Sequence, residues 1–67
     1  MKLVLNKEEL TKLSKHKLLD HIMRQIEFID NKREYSSGVS KYNLINYSID
    51  VLIKISLTNN SYINEPY

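Results

Sequence analysis

The chain has 67 residues, of which 42% are hydrophobic and 27% are charged, with a formal net charge of +2 and no cysteine. A chain of this length makes one small domain at most, and the lack of cysteine excludes disulfides as a source of stability. So small a net charge does not predict a nucleic-acid or membrane partner. Because small domains often complete their core with a second subunit, we expect a homodimer.

The first helix is predicted from the motif Asn-Lys-Glu-Glu near the N-terminus. Asn6 is a favourable N-cap, and Glu9 stands three residues later, where its carboxylate can reach back to the cap amide. Leu10 and Leu13 then share one helix face. We therefore predict a short helix over residues 7–13.

A second apolar stripe predicts a long helix over residues 15–32, with Ser14 as its N-cap. Its apolar side chains recur every three or four residues: Leu19, Ile22, Met23, Ile26 and Ile29. A single bent helix that includes residues 7–13 is the alternative. The charged and small residues that follow end in Gly38, which can adopt the left-handed conformation that stops a helix.

Residues 40–57 fit two patterns. A helix would bury one face, formed by Leu44, Ile45, Ser48, Ile49, Leu52, Ile55 and Ser56. A strand would use the alternation of apolar and polar residues from 49 to 57. We favour a helix over 40–57, because Ser40 is a suitable cap and no other segment offers a strand of similar length. Residues 59–67 are predicted to form a polar, flexible tail after a single domain over 1–58.

The predicted fold class is therefore all-α: a short N-terminal helix and an antiparallel two-helix hairpin, completed as a dimeric helical bundle. The dimer follows from the last helix, which is apolar on several sides and needs more than one neighbour to cover it.

No catalytic, metal or nucleotide motif is present. His16 and Asp20 lie four residues apart on one helix face, but two ligands do not make a metal site. Arg24 has a helical spacing from Asp20 and Glu27 that is typical of surface ion pairs. We predict no enzymatic activity, no cofactor and no small-molecule substrate. No apolar run approaches the roughly 18 residues of a membrane span, so we expect a cytoplasmic protein.

The segment "GVSKYNLINYSI" resembles the second helix of ribbon-helix-helix DNA-binding proteins. The matching positions are Gly38, Ser40, Lys41, Leu44, Ile45 and Ile49. The segment "KLVLNKEEL" would then correspond to the strand and the start of the first helix. This resemblance implies a dimeric transcriptional regulator whose paired strands enter the major groove. Such a regulator is our alternative function, with Lys12, Lys15 and Lys17 as possible nucleic-acid contacts.

The function that we favour is a small non-enzymatic regulatory or inhibitory protein that acts by binding another protein. The richness in Ile, Asn, Lys and Tyr is typical of small accessory proteins of a phage, virus or plasmid. Tyrosine and arginine often anchor protein interfaces. The expected partner-binding residues flank the loop around Gly38: Arg33, Tyr35, Lys41 and Tyr42.

Overall fold

A computed structural model of the chain describes residues 3–33, 38 and 40–64. It contains four helices: α1 (Lys7–Thr11), α2 (Lys15–Arg33), α3 (Lys41–Leu44) and α4 (Ile49–Asn64). No strand occurs within the described ranges. The predicted all-helical class is confirmed, and the alternating segment 49–57 is helical.

The N-terminal helices begin where their capping residues predicted. The Asn6 side chain accepts a hydrogen bond of 2.8 Å from the Glu9 amide, and the Glu9 carboxylate accepts one of 3.2 Å from the Asn6 amide. Ser14 Oγ accepts a bond of 3.3 Å from the Lys17 amide and so starts α2. Because α1 ends at Thr11, two residues earlier than predicted, α1 and α2 are separate helices and not one bent helix.

The predicted helix over 40–57 is interrupted. Residues 45–48 separate α3 from α4, and Ser48 Oγ accepts a hydrogen bond of 3.4 Å from the Val51 amide at the new helix start. Asp50 adds a negative charge to the first turn, where the helix dipole favours it. The end at residue 57 is also wrong, because α4 continues to Asn64 and includes residues 59–64 of the predicted tail. Residues 65–67 lie outside the described residues.

The interruption moves apolar residues off the predicted inward face. Leu44 is buried at the end of α3, and the buried face of α4 begins again at Leu52 and Ile53. Ile45 and Ile49, predicted to point inward, are about half exposed. The reason is that residues 45–48 are not helical. Without the rotation of 100° per residue of an α-helix, the apolar residues of α3 and of α4 do not continue on one face.

All four helices contribute to the core. Its buried members are Leu10, Leu18, Leu19, Ile22, Leu44, Leu52 and Ile53. The most extensive packing is between α2 and α4, so the predicted contact between the two long helices is confirmed.

Side-chain contacts join α2 to both of the helices that follow it. Lys41 contacts Asp20, thirteen residues before the end of α2, which is about 20 Å along the helix axis at 1.5 Å per residue. Farther along α2, Gln25 contacts Ser56 at the middle of α4 and Asn60 in its second half.

Gly38 has a φ of +74°, the left-handed conformation that the sequence predicted for it. A Cβ atom at this position would have no neighbour within 4 Å among the described residues, so the positive φ is the reason for glycine that the structure shows. Ser40 occupies the N-cap position of α3, but its hydroxyl donates to Asn43 Oδ1 at 3.1 Å and does not cap the backbone.

A buried polar network joins the N-terminal segment to α2 and α4. The amide of Gln25 is its centre and is fully buried. Gln25 Nε2 donates to the Leu3 carbonyl and to Asn60 Oδ1, both at 2.8 Å. Gln25 Oε1 accepts from Ser56 Oγ at 2.8 Å and from Asn59 Nδ2 at 3.4 Å. One side chain thus fixes three parts of the chain relative to one another.

Candidate functional site

The structure describes only part of the predicted partner-binding site. Tyr35 and the side chain of Arg33 lie outside the described residues. Lys41 and Tyr42 form the start of α3. Tyr42 is 85% exposed, more than any other large hydrophobic residue that the structure describes. Lys41 instead donates to Asp20 Oδ1 at 3.1 Å, so its ammonium group is held within the chain.

Exposed apolar side chains concentrate around Tyr42. Five of the seven large hydrophobic residues that are exposed in the described ranges lie between residues 42 and 51. We call these five the corner patch: Tyr42, Ile45, Tyr47, Ile49 and Val51. Concentrated exposed apolar surface is typical of an interaction site. The sequence interpretation missed most of this patch because it treated residues 40–57 as one helix.

The backbone of the corner is fixed by its own hydrogen bonds. The Ile45 amide donates to the Lys41 carbonyl at 3.0 Å, and the Tyr47 amide donates to the Leu44 carbonyl at 3.0 Å. The buried side chain of Leu44 anchors the same turn in the core. The segment that carries the corner patch is therefore held by backbone bonds of the Ile45 and Tyr47 amides and by the buried Leu44 side chain.

The corner patch carries little charge. Asp50 is the one ionised side chain between residues 42 and 51, and lysines flank the segment at positions 41 and 54. Depletion of charge at the centre of a surface, with charge at its rim, is typical of protein interfaces.

An ion-pair cluster borders the corner patch. Asp20 accepts from Lys41 at 3.1 Å on one oxygen and lies 3.6 Å from His16 Nε2 on the other. The hydrogen bond from Lys41 is the main cause that lowers the pKa of Asp20, and the charges of Lys41, His16 and Arg24 act in the same direction. Within the described ranges, no three His, Asp or Glu side chains are placed to hold a metal ion.

The three lysines of the predicted nucleic-acid surface do not share one groove. Lys12 lines a shallow groove along α1, together with Lys7, Glu8 and Thr11. Lys17 lines a different groove, on α2. Lys15 is half-buried in the first turn of α2.

The segment that would form the ribbon of a ribbon-helix-helix protein is engaged elsewhere. The Leu3 carbonyl accepts from Gln25, and the Leu5 carbonyl accepts from Asn60 Nδ2 at 2.7 Å. Strand pairing with a second copy would compete with these bonds for the same backbone groups.

No family model, curated protein or solved structure matches the chain. No helix in the part of the chain that the structure describes combines the length and the apolar character needed to cross a membrane.

Proposed function

We propose that this protein is a small non-enzymatic regulatory or inhibitory module that binds another protein through the corner patch. The observation that carries the proposal is the concentration of five exposed large apolar side chains, with one charge among them, within ten residues that include the end of α3 and the start of α4. In a chain so small, burying these residues against a partner removes much of the apolar surface that the core leaves exposed.

Tyr42 is the expected anchor of the interface. A tyrosine buries about 150–250 Å² and loses little conformational freedom, which is why tyrosine is enriched among residues that dominate binding energy. Ile45 and Ile49, three and seven residues after Tyr42, add further exposed apolar area within the corner patch. The matching partner surface is an apolar pocket with a polar rim.

We further propose that the chain is a homodimer that forms a helical bundle and leaves the corner patch accessible. Among the described residues, two exposed aromatic residues lie outside the patch: Phe28 on α2 and Tyr62 on α4. These faces of the long helices are the proposed contact with the second copy. Sedimentation equilibrium at micromolar concentration tests this: a dimer is expected, and a monomer at every concentration would contradict it.

The binding proposal is tested by affinity capture from the native host and by titration of the captured protein after purification. The double variant Tyr42→Ala and Ile45→Ser is expected to weaken binding at least 30-fold, as for an interface anchor, while helicity is unchanged. The matched control replaces Lys12 and Lys15 by glutamine and is expected to bind normally.

The opposite result identifies the alternative function. If the corner-patch variant binds normally, and the lysine variant loses a nucleic acid whose binding weakens steeply with salt, the protein is a nucleic-acid-binding regulator.

A further inference from the structure

The outer face of α4 carries a stripe of side chains that remain accessible to solvent. Its members stand four, three and four residues apart, which keeps them on one side of the helix. We call these four residues the α4 seam: Val51, Ile55, Thr58 and Tyr62. Ile55 is half-buried and the other three are exposed. The spacing is that of the stripe along which two helices of a coiled coil meet.

A groove of about 230 Å³ lies along the α4 seam. It is lined by Val51, Lys54, Ile55, Thr58 and Asn59. The first four of these residues have the spacing of a hole in a coiled coil, which is bounded by four residues of one helix and receives one side chain of the facing helix. The groove therefore has the arrangement that accepts a side chain from a second helix.

The side chains around this groove can be covered without leaving a buried polar group unpaired. Thr58 Oγ1 donates to the Lys54 carbonyl at 3.0 Å, so its hydroxyl needs no outside partner and its methyl group can face a second helix. Lys54 is the one ionised side chain between residues 51 and 62. Its methylene groups can cover apolar surface at the border of the groove while the ammonium group stays in water.

We propose that the α4 seam packs against the α4 seam of a second copy, with the two helices antiparallel. This inference rests on the homodimer proposed above and deepens it by naming the contact. In this arrangement, Val51 faces Tyr62 of the second copy, and Ile55 faces Thr58 of the second copy. Each contact joins a larger side chain to a smaller one, which fills the space between the helices evenly.

The match between the two halves of the α4 seam is the reason to choose a second copy as the occupant of the groove. A parallel pair would instead set tyrosine against tyrosine and valine against valine, and so leave one layer crowded and another loose. It would also bring the two Lys54 side chains to the same level of the pair. The antiparallel pair offsets these like charges along the axis and opposes the two helix dipoles.

The dimer formed in this way also adds to the corner patch. Val51 belongs both to the corner patch and to one end of the α4 seam, so Tyr62 of the second copy lies beside the patch. The other four residues of the corner patch precede the seam in the chain and stay accessible. Each partner-binding site is therefore built from both copies and is complete only in the dimer.

Cysteine cross-linking tests the pairing directly, because the chain has no cysteine of its own. Val51→Cys and Tyr62→Cys are produced separately, mixed, unfolded in urea, refolded together and oxidised. Mass spectrometry is expected to show a disulfide between the two different variants, since these positions face each other. Each variant alone is expected to give no linked dimer. Identical positions lie eleven residues apart along the pair, which is about 16 Å, and a disulfide needs Cα atoms within about 7 Å.

Sedimentation equilibrium of two other variants tests the α4 seam without cysteine. Thr58→Glu places a carboxylate opposite Ile55 of the second copy and is expected to weaken dimerisation at least tenfold. Ser61→Glu is the matched control, on the same helix but outside the seam, and is expected to keep the dimer. Both positions are exposed, so circular dichroism is expected to show unchanged helicity for both variants.

The other outcomes overturn the inference at different levels. A disulfide between identical variants would overturn the antiparallel arrangement. A dimer that lacks the mixed disulfide, or that Thr58→Glu does not weaken, would overturn the α4 seam as its contact and leave the homodimer itself in place. A monomer of the unsubstituted chain at every concentration would overturn both. None of these results depends on the binding of another protein to the corner patch, which Tyr42 and Ile45 test separately.

Discussion

Replacing Gln25 by leucine tests the buried polar network directly. Leucine has a similar size but no amide, so the substitution removes all four hydrogen bonds that Gln25 makes with other parts of the chain. The Ser56 hydroxyl is fully buried and is left without its acceptor. The carbonyl of Leu3 and the side chain of Asn60 lose a partner at a partly solvated position.

The expected loss is large for so small a domain. A buried polar group left unpaired costs about 1–3 kcal/mol, and partly solvated groups cost less, so Gln25→Leu is expected to lower the free energy of unfolding by about 3 kcal/mol. A 67-residue domain has a total stability of roughly 3–10 kcal/mol. The variant therefore keeps roughly 0–7 kcal/mol and is expected to unfold at a clearly lower urea concentration than the wild type.

Urea unfolding followed by circular dichroism measures this loss, and a second substitution identifies its cause. Ser56→Ala alone is expected to cost about 1 kcal/mol, because Gln25 Oε1 keeps the bond from Asn59. Adding Ser56→Ala to Gln25→Leu removes the unpaired hydroxyl and is expected to regain about 1–2 kcal/mol relative to Gln25→Leu alone. A loss below about 0.5 kcal/mol for Gln25→Leu, or a double variant whose loss equals the sum of the single losses, would refute this reasoning.

Two further predictions concern pH and the connection. Burial, with the charge of Arg24, lowers the pKa of His21 below its ordinary 6.5, so the folded state binds fewer protons there than the unfolded state. The stability that neutral His21 contributes is expected to be full above pH 6.5 and to fall as the pH decreases towards the folded pKa. In urea unfolding between pH 7.5 and 5, the variant His21→Phe should lose less stability than the wild type. An equal loss in both proteins would contradict the assignment of this pH dependence to His21. Gly38→Ala is expected to lower the free energy of unfolding by about 1 kcal/mol, because alanine is strained at this positive φ. Gly38→Asn is expected to lower it less, because asparagine tolerates this conformation. Equal urea midpoints for the wild type and both variants would contradict that cause.

The parts of the fold that the sequence predicted depend on local interactions. The capping box of Asn6 and Glu9, the cap at Ser14 and the left-handed Gly38 are each determined by residues within a few positions. The length of α4 could not be read in this way. Asn59 and Asn60 were interpreted as part of a polar tail, whereas both bond to Gln25, more than thirty positions earlier in the chain.

Residues of the candidate site were predictable only where their exposure did not depend on which face of a helix they occupy. Tyr42 was identified because tyrosines often occur at recognition surfaces. Ile45 and Ile49 were assigned to the core, because one continuous helix would have turned them inward. Ser48 followed by Asp50 is a local sign of a new helix start, and it would have indicated the interruption. The ion pair between Asp20 and Lys41 joins α2 to α3, and no sequence spacing indicates that contact.

The bonds of Gln25 and Asn60 also determine when this protein can fold during its synthesis. Gln25 leaves the ribosome before its partners Ser56 and Asn60 do. The Leu5 carbonyl likewise has its donor, Asn60 Nδ2, 55 positions later in the chain. When only α1 and α2 have left the ribosome, the side-chain amide of Gln25 has no partner from α4. It therefore stays bonded to water. Folding of this unit therefore requires that α4 has emerged, and the first helices of the nascent chain remain accessible to chaperones until then.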